Sequence, residues 1–234
     1  LSYLASVRKS VLAMLYGNYV ASGKVRIAYA RRGNDGVWGS AMFLGSPAGI
    51  PESPTMATDG FGTIHIAWSE RVEVQDNPRD LNREIFYASI PASGTVPNVV
   101  RLTSAGGNSR SPFLEATADG TLHLVWLDNR SSPGRDYFEI FYRRFLPGIG
   151  WGKDKRFSYD GIDHARPVVA AGAQNTVNVA WEDFRHGNPE IYFRQITVET
   201  GWDREATRLT RDLNASLRPS LLAFPAGNLL LLWT

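Results

Sequence analysis

Cysteine does not occur anywhere in the 234 residues. That absence excludes a disulfide framework and any cysteine-ligated zinc or iron centre, and it leaves the redox compartment open. No apolar run approaches the roughly 20 residues a helix needs to span a bilayer. The stretch "VLAMLYGNYV" near the start also lacks the basic flank and cleavage site of a signal peptide. Membrane insertion is therefore not expected. Runs of like charge are missing as well, because 25 basic and 23 acidic residues are dispersed to a net charge of +2. A nucleic-acid footprint would need such a block, so nucleic acid is not an expected partner. With 43% hydrophobic and 12% aromatic residues, the chain has enough apolar material for a sizeable core.

Repetition is the dominant feature. The stretch "LHLVWLDNR" (Leu122 to Arg130) followed by "EIFYRRF" returns as "VNVAWEDFR" with "EIYFRQI", and earlier as "IHIAWSER" with "EIFYASI". Alignment on the closing aromatic places Tyr16, Trp68, Trp126, Trp181 and Trp233 in one column, spaced by 52, 58, 55 and 52 residues. Around each anchor apolar and polar residues alternate and β-branched and aromatic types abound, which predicts strands. Each unit holds four: strand A after a proline (Pro54, Pro112, Pro167, Pro219), strand B ending at the tryptophan, strand C opening "EI(F/Y)(F/Y)", and a short strand D around "RLT" or "RFS". The A–B turns "TDGFGT", "ADGT", "GAQNT" and "PAGN" carry the Gly and Asn that positive φ requires.

Four sequential antiparallel strands make a meander that cannot bury both faces alone, so several must pack side by side. The expected fold is all-β, a β-propeller of four-stranded antiparallel blades forming a single domain; a linear β-solenoid is the alternative, with repeats that are usually shorter. Blades are expected at 1–50, 51–106, 107–162 and 163–213, with strands A and B of a fifth at 214–234. Every other unit continues from its tryptophan into strand C. The expectation is therefore that these residues belong to a longer ring of six or seven blades, with further blades or another chain covering the open edge.

The pattern of Pro, apolar strand, "DG", "W-x-D-x-R", "EIYY", Gly-Trp and "RLT" resembles the sialidase-like propeller repeats of secreted and surface-bound bacterial proteins. The Gly-Trp at Trp38, Trp151 and Trp202 resembles a shortened Asp-box, with "RRGNDGVW" the fullest form. The resemblance covers nearly the whole chain. It implies an extracellular, cell-surface or periplasmic location in a bacterium, and a fold that hosts sialidases, other glycosidases, polysaccharide lyases and non-catalytic domains.

In such a meander the B–C and D–A connections share one side, here called upper. That side receives Glu70 with Arg71, Asp128 with Arg130, and Asp183 with Arg185 from the ends of B strands, and Arg110, Arg166 and Arg218 from just before A strands. The recurring acids suggest a structural network, in which each carboxylate accepts loop N–H groups and its arginine bridges to the C-strand Glu84, Glu139 or Glu190. Arg110, Arg166 and Arg218 offer guanidinium groups suited to binding a carboxylate, and the resemblance aligns this with the arginine triad of sialidases. The alternative is simple pairing with neighbouring acids. His164 and His186 fall in upper connections, as acid or base candidates or as solvated loop residues. His65 and His123 share a column with Asn178 and Leu230, as a packing position would. The insertion "VEVQDNPRDLNR" with Asp76, Arg79 and Asp80 reads as a longer upper loop.

No histidine pair stands at metal-ligand spacing, so no metal or cofactor is expected. Catalytic residues remain unassigned, because no unique nucleophile, base or general acid is identifiable. Regular repeats favour a non-catalytic module binding a glycan or protein partner through upper loops. The alternatives are a sialidase-like hydrolase or polysaccharide lyase acting on an acidic glycan, and a structural spacer.

Overall fold

The computed structural model describes the backbone of residues 2–4, 12–21, 24–33, 35–44, 49–74, 77–94, 98–104, 106–132, 134, 137–173, 175–199, 202, 205–224 and 226–234; side chains are described within these from residue 26, apart from 73–81. All secondary structure among the described residues is β. The chain divides into two compact units, Leu1–Thr121 and Leu122–Thr234.

The first unit contains two four-stranded antiparallel meanders, each in sequential order. One joins β1 (Ser2–Leu4), β2 (Leu12–Ala21), β3 (Lys24–Arg32) and β4 (Met42–Leu44). The other joins β5 (Ile50–Thr58), β6 (Ile64–Val74), β7 (Asn77–Ile90) and β8 (Val99–Arg101), and β9 (Ser109–Ala116) follows. Alternation along the strands gives each sheet an apolar face. Ile27, Tyr29 and Leu44 of the first sheet meet Ile64, Ile66, Trp68, Phe86 and Ile90 of the second in one buried cluster. The insertion of the second repeat extends a hairpin instead of forming a loop: Arg71 pairs with Arg83, Val72 with Asn82 and Glu73 with Leu81. Asp76, and the side chains of Arg79 and Asp80, lie outside the described residues.

In the second unit, β10 (Leu122–Asp128) and β11 (Glu139–Leu146) pair antiparallel, and β11 also pairs β12 (Gly150–Trp151) and β13 (Lys155–Arg156). A complete meander follows with β14 (His164–Ala171), β15 (Thr176–His186), β16 (Asn188–Thr197) and β17 (Thr207–Arg208). The hairpin β18 (Ser220–Ala223) and β19 (Leu229–Leu232) comes last. Phe157 meets Trp181 edge-on with centroids 6.1 Å apart, and Trp202 packs against Phe157 and Tyr142 at 6.2 and 5.4 Å. The Gly-Trp of one repeat thus closes on the aromatics of the repeat before it. These sheets are propeller blades of the expected four-stranded kind.

Turn chemistry follows the sequence. Gly62, Gly120 and Gly227 adopt φ of 79, 86 and 88°, and Asn175 takes 55° at the equivalent turn. Pro219 directly precedes β18 as expected, whereas Pro54, Pro112 and Pro167 lie within their A strands instead of opening them. Register slips between Glu52 and Thr55 and between Ala165 and Val168, around Pro54 and Pro167. Proline has no N–H for the ladder and pushes its predecessor out of the right-handed region. Ser53, Ser111, Arg166 and Arg218, each directly before a proline, have φ of 49, 52, 47 and 56°, in the left-handed region and not the extended one that a following proline favours.

Candidate functional site

A carboxylate stands two residues beyond each buried tryptophan, where alternation returns it to the same face of the sheet. The indole Nε1 donates to it each time: Trp68 to Glu70 at 2.7 Å, Trp126 to Asp128 at 3.0 Å and Trp181 to Asp183 at 3.1 Å. Asp128 and Asp183 also accept backbone N–H groups of Arg130 and Arg185, at 2.9 and 3.1 Å, as an Asx-turn does. The guanidinium groups fold back on the same carboxylates and over the C-strand rings. Arg130 lies 4.7 Å above Phe141, and Arg185 lies 4.4 Å above Tyr192.

The C-strand glutamates have other partners than expected. Each is held by the D-strand arginine of its own repeat, and Glu84 and Glu190 also by its threonine hydroxyl. In the second repeat, Arg101 Nη2 donates to Glu84 at 2.9 Å, Thr103 Oγ1 donates to the other carboxylate oxygen, and the same hydroxyl accepts from Ile85 N at 2.8 Å. Arg208 and Thr210 serve Glu190 and the N–H of Ile191 in this way, whereas in the third repeat Arg156 donates to Glu139 and Ser158 Oγ accepts from Ile140 N without a hydroxyl bond to the carboxylate. The "EI…RLT" pairing is therefore a buried clamp joining strands C and D. Arg130 and Arg185 turn instead to a second acid, Asp154 at 2.8 Å and Asp160 at 2.5 Å respectively.

One cluster breaks the repeat. His164 is the first residue of β14, opposite Asp183 on β15, and is completely buried; it is not the solvated loop residue that the sequence suggested. Its Nε2 lies 3.1 Å from Asp160 and its Nδ1 3.4 Å from Asp183, at ion-pair distances without aligned hydrogen bonds. Arg185 reaches both carboxylates. Two carboxylates thus face one guanidinium and one imidazole, and the cluster is neutral when His164 is protonated. Burial pulls the His164 pKa down, but Asp160 and Asp183 outweigh it and hold the imidazole above its ordinary 6.5. Burial pushes the two aspartates up, yet contacts from His164 and Arg185 leave both below the usual 3.8. Three potential metal ligands converge here, a grouping that sequence spacing did not reveal. A cation would have to displace Arg185 and the Trp181 indole from the same oxygens.

Because the folded pKa of His164 is raised, its contribution to stability is complete below about 6.5 and is lost as pH rises through the folded value. The aspartates contribute above about 3.8, and that contribution is lost as pH falls through their depressed values. Urea midpoints measured from neutral to alkaline pH should therefore decline, and His164→Gln should flatten that decline. An unchanged slope in the variant would show that the proton resides elsewhere.

Arg110, Arg166 and Arg218 do not occupy one backbone position. Arg166 and Arg218 stand directly before Pro167 and Pro219, whereas Arg110 precedes Ser111 and falls one residue out of that register. Within the second unit, Glu182 links the two strained arginines. Its buried carboxylate lies 3.3 Å from Arg166 Nε and accepts the backbone N–H of Arg218 at 2.7 Å. The Arg166 side chain is 58% exposed, and Arg218 is also exposed. Nearby in sequence, Tyr159 is exposed with Arg156 lying 4.9 Å over its ring. Of the four histidines His186 alone is exposed, and its Nε2 lies 2.8 Å from the Tyr192 hydroxyl. His65 and His123 are buried against Tyr87 and Tyr142 at 2.8 Å, as a packing column implies.

No protein-family model and no curated protein sequence matches the chain. Several solved structures are similar in fold. An endo-arabinase from Bacteroides thetaiotaomicron is 13% identical with a TM-score of 0.61, over 99% of this chain and 87% of that one. The α-L-arabinofuranosidase Arb93A from Fusarium graminearum, in complex with an iminosugar inhibitor, is 15% identical with a TM-score of 0.68, over 94% and 70%. An ulvan lyase of polysaccharide lyase family PL25 is 9% identical with a TM-score of 0.67, over 96% of this chain and 58% of the lyase.

Proposed function

We propose that the protein is a carbohydrate-active β-propeller that works outside the cytoplasm on an acidic glycan, with Arg166 and Arg218 as its carboxylate-binding groups. The observation that carries this reading is the pair of exposed arginines held in left-handed geometry on either side of buried Glu182. The arrangement sets two arginine backbones from successive sheets about one buried carboxylate. Fold neighbours that include a hydrolase crystallised with an iminosugar and an ulvan lyase support a glycan as the ligand class. The sialidase-like character of the repeats is part of the same proposal.

For the reacting groups, His186 and Tyr192 are a better pair than Asp160 and Asp183. Both aspartates are fully engaged with Arg185 and His164, and their depressed pKa values make them poor general acids. His186 faces solvent and contacts a phenol that burial holds above its ordinary pKa. A non-catalytic glycan-binding module is the second reading, favoured by that same saturation of the aspartates.

The test combines binding and turnover on uronate-containing polysaccharides, with neutral arabinan as control. Arg166→Ala and Arg218→Ala are each expected to weaken binding of the acidic glycan by about 10- to 100-fold, the worth of a charged hydrogen bond. Affinity unchanged in both variants would refute the carboxylate site. New reducing ends without unsaturated sugar would identify a hydrolase, unsaturated sugar a lyase, and saturable binding without either product the module.

A further inference from the structure

We infer that Glu182 determines specificity at the glycan site. One oxygen of its carboxylate accepts a sugar hydroxyl that stands next to the carboxylate held by Arg166. The ligand is then a uronate whose hydroxyl beside the carboxyl group is unsubstituted. This role rests on the carboxylate-binding reading of Arg166 and adds a second group that the site recognises.

Glu182 breaks the repeat. It directly follows Trp181, and the second and third repeats have Ser69 after Trp68 and Leu127 after Trp126. All three residues are buried. Ser69 satisfies its hydroxyl within its own repeat, donating to the Glu52 carbonyl at 3.1 Å, and Leu127 needs no polar partner. A blade therefore forms with an apolar side chain at this position. A buried carboxylate there carries a desolvation cost that the fold does not require, and such departures from the local rule gather at functional sites. Alternation also separates Glu182 from the acids that are already engaged. Trp181 and Asp183 share one face of β15, where the indole, Arg185 and His164 surround the Asp183 carboxylate. Glu182 takes the opposite face, across the ladder from Ala165, whose methyl group offers no donor.

One oxygen of Glu182 makes both of its contacts. Oε1 accepts the Arg218 N–H at 2.7 Å and lies 3.3 Å from Arg166 Nε, whereas Oε2 takes no hydrogen bond among the described residues. Nor is Oε2 sealed from solvent, as the unbonded Oε2 of Glu139 is. The Arg166 side chain beside it is 58% exposed. A guanidinium donor and a carboxylate acceptor thus stand next to each other with capacity to spare. A uronic acid carries the complement. Its carboxylate accepts from the guanidinium, and the hydroxyl on the neighbouring ring carbon donates to Oε2. A second anionic group in the place of that hydroxyl meets the charge of Glu182 and is repelled, which adds discrimination to affinity.

The experiment titrates the 234-residue protein with three probes, followed by ligand nuclear magnetic resonance. They are the methyl glycosides of glucuronic and galacturonic acid, and cyclohexanecarboxylate, which keeps the ring and the carboxyl group but has no hydroxyl. The two uronates are epimers at the carbon next to the one bearing the carboxyl group. One of them is expected to bind at least about tenfold more tightly than the other and than cyclohexanecarboxylate. Glu182→Leu places the Leu127 side chain in the same column, so it should keep the near-ultraviolet circular dichroism of the folded protein. It should bind all three probes with the affinity of cyclohexanecarboxylate, and Glu182→Gln should retain part of the preference. Arg166→Ala should weaken all three. Equal affinities in the unaltered protein would overturn the inference. So would a Glu182→Leu variant that weakens all three probes and preserves their ratios, the mark of a purely structural side chain. Affinities that Arg166→Ala leaves unchanged would instead remove the carboxylate site on which the inference stands.

Discussion

Asp183→Ala should destabilise the second unit by about 3–5 kcal/mol, the usual consequence of removing one partner from a buried ion pair. The side chain accepts from the Trp181 indole, from the Arg185 backbone and from two guanidinium nitrogens, and it stands 3.4 Å from the His164 imidazole. Removing it strands a buried imidazole and an indole N–H, and leaves Arg185 with Asp160 alone. Asp183→Asn keeps the volume but turns amide hydrogens toward donors, so it should recover only part of the loss. Urea unfolding of both variants at neutral pH, monitored by near-ultraviolet circular dichroism, gives the comparison. A loss under about 1 kcal/mol for Asp183→Ala would place this carboxylate among the weak surface pairs.

A second large effect separates two members of one sequence column. Trp181→Ala should cost about 3–5 kcal/mol, because it empties a fully buried site packed by Phe157, Tyr192 and His164. Trp233→Ala should change stability by less than about 0.5 kcal/mol, as at an ordinary surface position. The side chain is the same and the repeat position is the same, and only burial differs. Equal losses at both sites would mean that Trp233 is covered in the folded protein.

Much of the fold could be read before any coordinates because its signals are local. Alternation about Trp126 and Trp181 sets which face each side chain takes, and Asp-Gly or Asn at the A–B turns meets a backbone requirement within four residues. The acids two residues beyond the tryptophans were legible as a network for the same reason: the i and i+2 residues of a strand share a face. Arg110 stands one residue out of the proline register that Arg166 and Arg218 share, and a one-residue offset becomes a different backbone position at a bulge.

Other features required the folded chain. Glu139 and Arg156 are 17 residues apart, and so are Asn178 and Gln195. Nothing in their spacing distinguishes them from the Asp128 and Arg130 pair that sequence favoured as the bridge to Glu139. His164 shows the limit most clearly, since the same residue in a D–A connection could be solvated or buried. Its partner Asp183 arrives from the next strand and Asp160 from four residues upstream. Periodicity and turn residues thus specify the strands, their faces and the tryptophan column through interactions within a few residues. Which charges meet, and which imidazole loses its water, is set by distances across the sheet, and those exist only once the strands have paired.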